Sequence, residues 1–122
     1  MSETGDQPNV KIIEKKYNLE DEQIVTFLLI KFETSFLLWI GESGGRAQLT
    51  DLSLAIGQNS TPVLSSNVNQ LSPALASKLS IKYNENRPVY VALNHPMADK
   101  NDNQFIVTLN KKIIEFLNEN LK

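Results

Sequence analysis

The run QIVTFLLIKFETSFLLWIG (residues 23–41) holds two apolar segments separated by the polar residues Glu33, Thr34 and Ser35. Each segment is short and bounded by polar turns, so the reading is two strands, Gln23 to Phe32 and Phe36 to Ile40, joined by a hairpin-length link. Neither strand alternates. In the first, Ile24, Thr26, Leu28, Ile30 and Phe32 lie on one side and Val25, Phe27, Leu29 and Lys31 on the other. In the second, Phe36, Leu38 and Ile40 oppose Leu37 and Trp39. A half-solvated strand alternates apolar with polar, whereas a strand buried on both faces is apolar throughout.

Working outward, Val10 to Tyr17 reads as a first strand, and Asn18 to Asp21 as a polar turn. Gly41 to Gly45 is a glycine-rich loop. Leu49 to Ile56 gives a fourth strand, Gly57 to Thr61 a turn, and Pro62 to Val68 a weaker fifth strand, its proline suited to a first or edge position. The period then changes. Ser72-Pro73 is a helix opening, and Leu71, Leu75, Leu79 and Tyr83 recur at four-residue spacing, which predicts a helix from Ser72 to about Asn84. Val89 to Asn94 is a sixth strand, ended by His95-Pro96. Asn101 and Gln104 have the spacing of a capping box. Phe105, Leu109, Ile113 and Leu117 then mark one face of a long C-terminal helix, with a short strand over Phe105 to Thr108 as the alternative.

The order is five strands, helix, strand, helix. Short links among the first four strands favour antiparallel neighbours. The expected fold is α+β: one six-stranded, mostly antiparallel sheet in a single domain over residues 10–122, preceded by a polar tail over residues 1–9. Two helices can cover one face of such a sheet, and the sixth strand is again apolar on both sides, with Val89, Val91 and Leu93 opposing Tyr90 and Ala92. The second face must then meet something else, most simply another chain, because a contiguous exposed apolar patch of that extent is unusual on a monomer; the alternative is that long loops and both helices close both faces within the chain. The aromatic-containing set is assigned to that interface: Val25, Phe27, Leu29, Leu37, Trp39 and Tyr90. Aromatic residues are enriched where proteins meet.

Composition narrows the function. Of 122 residues, 14 are acidic and 12 basic, for a net charge of −2. A nucleic-acid binder or a polybasic membrane anchor needs a basic stripe that this balance does not supply, so neither nucleic acid nor membrane is expected as a partner. The absence of cysteine excludes disulfides, thiolate metal sites and cysteine nucleophiles. No apolar stretch approaches the roughly 20 residues that span a bilayer. The polar start lacks the pattern of a signal peptide, so the expected location is the cytosol, the nucleus or both.

Little in the chain points to catalysis. His95 is the sole histidine and reads as a solvated loop residue; a general base also needs a positioned nucleophile. A metal site there would draw on Asp99 or Asp102, at a spacing that matches no metal motif. Gly41 to Arg46 (GESGGR) superficially resembles a phosphate-binding loop but lacks its Gly-Lys-Ser/Thr ending and leads into a strand. No cofactor, metal or catalytic residue is expected.

Four stretches carry a resemblance: FLLIKFETSFLLWIG (residues 27–41), LSLAIGQNSTPVLSS (52–66), ALASKLSIKYNENRPVYVALN (74–94) and DNQFIVTLNKKIIEF (102–116). In this order they resemble the proteasome assembly chaperone 4 family over roughly residues 22–118, and Leu37, Trp39 and Gly41 are the most specific part. The resemblance implies a non-catalytic chaperone that pairs with a proteasome assembly chaperone 3-like protein. It implies that the heterodimer binds an alpha-type subunit of the 20S core particle, notably alpha-5, guides alpha-ring assembly and departs. It also implies a six-stranded sheet with two helices, stacked sheet to sheet in the dimer. Homodimerisation when the partner is absent stays open. With both sheet faces occupied, the loops carrying Arg46, Asp99 and Asp102 are the expected client contacts. Two other readings compete: a dimeric scaffold or adaptor of the small GTPase-regulator type, and a small enzyme using Arg46, Asp51 and His95.

Overall fold

The computed structural model describes residues 10–19, 24–42, 49–64, 71–95 and 103–121. Its elements are β1 (Lys11–Asn18), β2 (Ile24–Lys31), β3 (Phe36–Glu42), β4 (Leu52–Ile56), β5 (Asn59–Leu64), α1 (Leu71–Tyr83), β6 (Pro88–Asn94) and α2 (Asn103–Asn120). The α+β fold and six-stranded sheet are as expected. The strand order is β1-β2-β3-β6-β4-β5. Every neighbouring pair is antiparallel except β3 and β6, which run parallel. The expectation that β3 and β4 are neighbours is corrected, since β6 lies between them. The physical reason is apolar content: Val89, Val91, Ala92 and Leu93 of β6 are all buried, and a strand apolar on both faces belongs in the middle of a sheet.

Both helices pack on one face. α2 presents Phe105, Leu109, Ile113, Phe116 and Leu117 at three- and four-residue spacing, which excludes the alternative strand over Phe105 to Thr108. Phe116 closes an aromatic cluster, with ring centroids 5.4 Å from Phe27 and 6.4 Å from Tyr17. Lys15 and Lys112 lie over the Tyr17 ring at 5.1 and 5.4 Å.

α1 is held differently. Its buried positions are Ser72, Ala76, Leu79 and Ser80, so an apolar stripe accounts for only part of its docking. Hydroxyl contacts supply the rest. Ser72 and Ser53 share a buried hydrogen bond of 2.7 Å. Ser77 donates to the Gly57 carbonyl at 2.7 Å, while Ser80 accepts from the Gly57 N–H and donates to the Arg87 carbonyl. These bonds tie α1 to the β4–β5 turn. That turn is two residues long, not five, because Gly57 adopts φ +60° at its first position, as a tight hairpin of primed type requires. β5 therefore starts at Asn59 instead of Pro62. β4 starts at Leu52 instead of Leu49, since Thr50 and Asp51 are fastened by the Asn94 side chain. Asn94 Oδ1 accepts from the N–H groups of both and from the Thr50 hydroxyl, at 2.8–3.0 Å.

The β2–β3 register carries the largest correction. The loop between them is four residues long, 32–35, closed by the Phe32 N–H donating to the Ser35 carbonyl at 2.9 Å, and Lys31 faces Phe36. A three-residue loop over Glu33 to Ser35 would instead oppose Phe32 to Phe36. Shifting the register by one turns every side chain of a strand to the other face. Val25, Phe27 and Leu29 therefore share the helix-covered face with Phe36, Leu38 and Ile40 and are fully buried there. They belong to the core and do not lie beside Trp39.

Candidate functional site

Trp39 pairs with Leu28 on β2 and Ala92 on β6. Alternation from those pairs defines the second face. It carries Ile24, Leu28 and Ile30 of β2, Leu37 and Trp39 of β3, Tyr90 and Ala92 of β6, and Leu52, Leu54 and Ile56 of β4. Neither helix touches this side. Ile12, Ile24 and Ile56 remain 66, 44 and 50% exposed, and Leu28, Ile30, Leu37, Trp39, Tyr90 and Leu54 are half-buried. Apart from Thr26 and Asn94, which flank Gly41, the polar positions lie at the margins: Glu14, Lys16 and Asn18 on β1, and Asn59 and Thr61 on β5. An apolar centre with a polar rim is the anatomy of a protein–protein interface.

Of the six residues expected at the interface, Leu37, Trp39 and Tyr90 are on this open face, and Val25, Phe27 and Leu29 are on the other. Sequence reasoning missed Leu28, Ile30, Leu52 and Leu54. Taken alone, these aliphatic residues look like core. The signal that could have found them is the parity of the hairpin loop, which fixes that Leu28 and not Leu29 stands beside Trp39. Arg46, Asp99 and Asp102 lie outside the described residues.

Of the residues weighed for chemistry, His95 and Asp51 are described, and both are buried and bonded to the backbone. His95 is 3% exposed, not solvated as expected. Its Nε2 is 3.2 Å from the Ile24 carbonyl, to which it donates, and its ring stacks on Phe105 at 5.2 Å. Burial lowers its pKa below the usual 6.5, opposed by that carbonyl and by the charge of Glu42. Asp51 is buried, and its carboxylate accepts from the Leu93 N–H at 3.0 Å, extending the attachment of β4 to β6 beyond their last ladder pair. Among the described residues, no group of three or more histidine and carboxylate side chains could hold a metal ion. Among the described residues, no helix is long and apolar enough to cross a membrane. A shallow cleft of about 200 Å³ runs between the helices, lined by Leu71, Leu75, Lys78, Ile106 and Leu109. It is on the side away from the open face.

No family model matches the chain, and no curated protein matches it. Among solved structures, it is similar to a chain in the crystal structure of a chaperone complex for yeast 20S proteasome assembly. The TM-score is 0.66 and the identity 20%, over 93% of this chain and 98% of that one. At this identity the likeness is one of fold, and it extends over nearly the whole of both chains.

Proposed function

We propose that this chain is a non-catalytic proteasome assembly chaperone, working as one half of a dimer whose interface is the open face of the sheet. The observation that carries the reading is that face: an uncovered apolar surface spanning β2, β3, β6 and β4, opposite a core that the two helices already close. The fold shared with a component of a yeast proteasome assembly chaperone complex supports it. The partner is a proteasome assembly chaperone 3-like chain, stacking its own sheet on this one, and the client is an alpha-type subunit of the 20S particle, alpha-5 first among them. With one face under helices and the other in the dimer, the client contact falls to the loops carrying Arg46, Asp99 and Asp102. A polar contact of modest area suits a chaperone that must leave. The complex acts in the cytosol, the nucleus or both.

Affinity purification of the tagged chain from its native cells, followed by mass spectrometry, tests the reading. The expected result is one chaperone-sized chain in 1:1 ratio together with immature alpha-type subunits. Recovery of a 1:1 dimer with no proteasome subunit would replace it with the adaptor reading. A clean monomer in the natively purified material by light scattering would refute the dimer itself.

A further inference from the structure

Gly41 follows Trp39 by two residues and lies on the same open face. A Cβ built on Gly41 would stand 2.1, 2.4 and 2.7 Å from Cη2, Cζ2 and Cζ3 of Trp39. The six-membered ring of the indole therefore lies directly on the Gly41 backbone. The surroundings are small as well. Thr26, opposite Gly41 on β2, and Ala92, opposite Trp39 on β6, are 5% and 0% exposed although no helix covers this side. Gly41 itself is buried. Three neighbouring strands thus place the small residues Thr26, Gly41 and Ala92 together at the centre of an otherwise bulky face, and the indole lies against Gly41 there. Gly41 is not at positive φ, so its backbone does not require glycine; the close approach of the ring does.

We infer that Gly41 is a positioning residue for partner recognition: by carrying no side chain, it lets the Trp39 indole settle against the sheet as a fixed aromatic anchor for the opposing chain. This rests on the interface role proposed above for the open face. A ring held in one pose has less freedom to lose on docking, and buried aromatic anchors near the centre dominate binding at such surfaces. A methyl group at position 41 displaces the ring and not the backbone, because the atoms it meets are the far end of a side chain. The glycine therefore tunes the face without being needed for the fold.

Trp39 is the sole tryptophan, so its emission reports its own pose. The test compares Gly41→Ala, Trp39→Ala and the double variant, each paired with the co-expressed proteasome assembly chaperone 3-like chain. Gly41→Ala should keep the far-ultraviolet circular dichroism of the wild type, shift tryptophan emission to the red, raise iodide quenching in the free chain and weaken the dimer at least tenfold. The double variant should bind no more weakly than Trp39→Ala alone, since the glycine acts only through the ring. Wild-type emission and affinity in Gly41→Ala, with Trp39→Ala weakened, would overturn the inference and leave the interface standing. An unfolded Gly41→Ala chain would overturn it too, by assigning the glycine to the fold. Wild-type affinity in Trp39→Ala would overturn both the inference and the choice of face.

Discussion

Leu28 and Leu29 are adjacent and chemically identical, yet they point to opposite faces of β2, so truncating each in turn measures what each face is for. Leu29 is fully buried beneath the helices, opposite Leu38. Leu29→Ala removes its packing and leaves a cavity in a closed core, which costs about 3 kcal/mol, within the 2–5 kcal/mol found for such truncations. Leu28 is half-buried on the open face. Only part of its area leaves water when the free chain folds, so Leu28→Ala should cost the free chain about 1 kcal/mol at roughly 25 cal/mol per Å² of apolar surface. The order reverses for association. Leu28→Asp puts a charge where the opposing sheet would desolvate it without a partner, and a penalty of about 3 kcal/mol corresponds to a loss of about 100-fold in affinity. Urea denaturation of the free variants and sedimentation of each with the partner chain read the two effects separately. If Leu28→Ala destabilises the free chain more than Leu29→Ala, or Leu28→Asp associates like the wild type, the assignment of faces is wrong.

Two further predictions concern the β4–β6 junction and the buried histidine. Asn94→Ala removes three accepted hydrogen bonds and one donated to the Asp51 carbonyl; with the Thr50 groups free to turn to water, the loss in urea should be about 2 kcal/mol at 0.5–1.5 kcal/mol per bond, and a loss below a few tenths would show that Asn94 does not fasten β4. Because burial lowers the His95 pKa below 6.5, the unfolded chain takes up a proton before the folded one. Stability should thus be level above about pH 6.5 and decline as pH falls through the folded pKa, and His95→Gln should flatten that decline between about pH 5 and 6.5, above the range where carboxylates titrate; an equally steep decline in the variant would assign it to other groups.

The fold was legible because the signals that define it are local. Strand-length apolar runs, the Ser72-Pro73 helix opening and the four-residue stripe from Phe105 to Leu117 each identify an element without knowledge of its neighbours. The existence of a second apolar face was legible for the same reason, since Leu37, Trp39 and Tyr90 cannot point where Leu38 and Val91 point. Which residues of β2 join them was not, because that depends on one residue of loop length between Lys31 and Phe36. The insertion of β6 between β3 and β4 was equally hidden, being a long-range choice. His95 was misjudged because its shelter comes from Phe105 and the Ile24 carbonyl, one ten residues after it in the chain and the other far before it.

The placement of the aromatic cluster bears on how the proposed dimer would form. Tyr17, Phe27 and Phe116 meet on the helix side with ring contacts of 5.1–6.4 Å, and Leu29, Leu38, Ile40, Val91, Ile113 and Leu117 are buried around them without any contribution from another molecule. A core complete within one chain makes folding independent of the partner, unlike an obligate dimer whose interface resembles a domain core cut in half. The open face is then a preformed surface, with the indole lying against Gly41 at its centre and polar margins at β1 and β5. Docking two such sheets orders few new backbone residues, so the entropic cost is confined to side chains and to the loss of free tumbling. In the proposed complex the pair would be stable as a unit, and a client held by loops instead of a closed face would be released without either chain having to unfold.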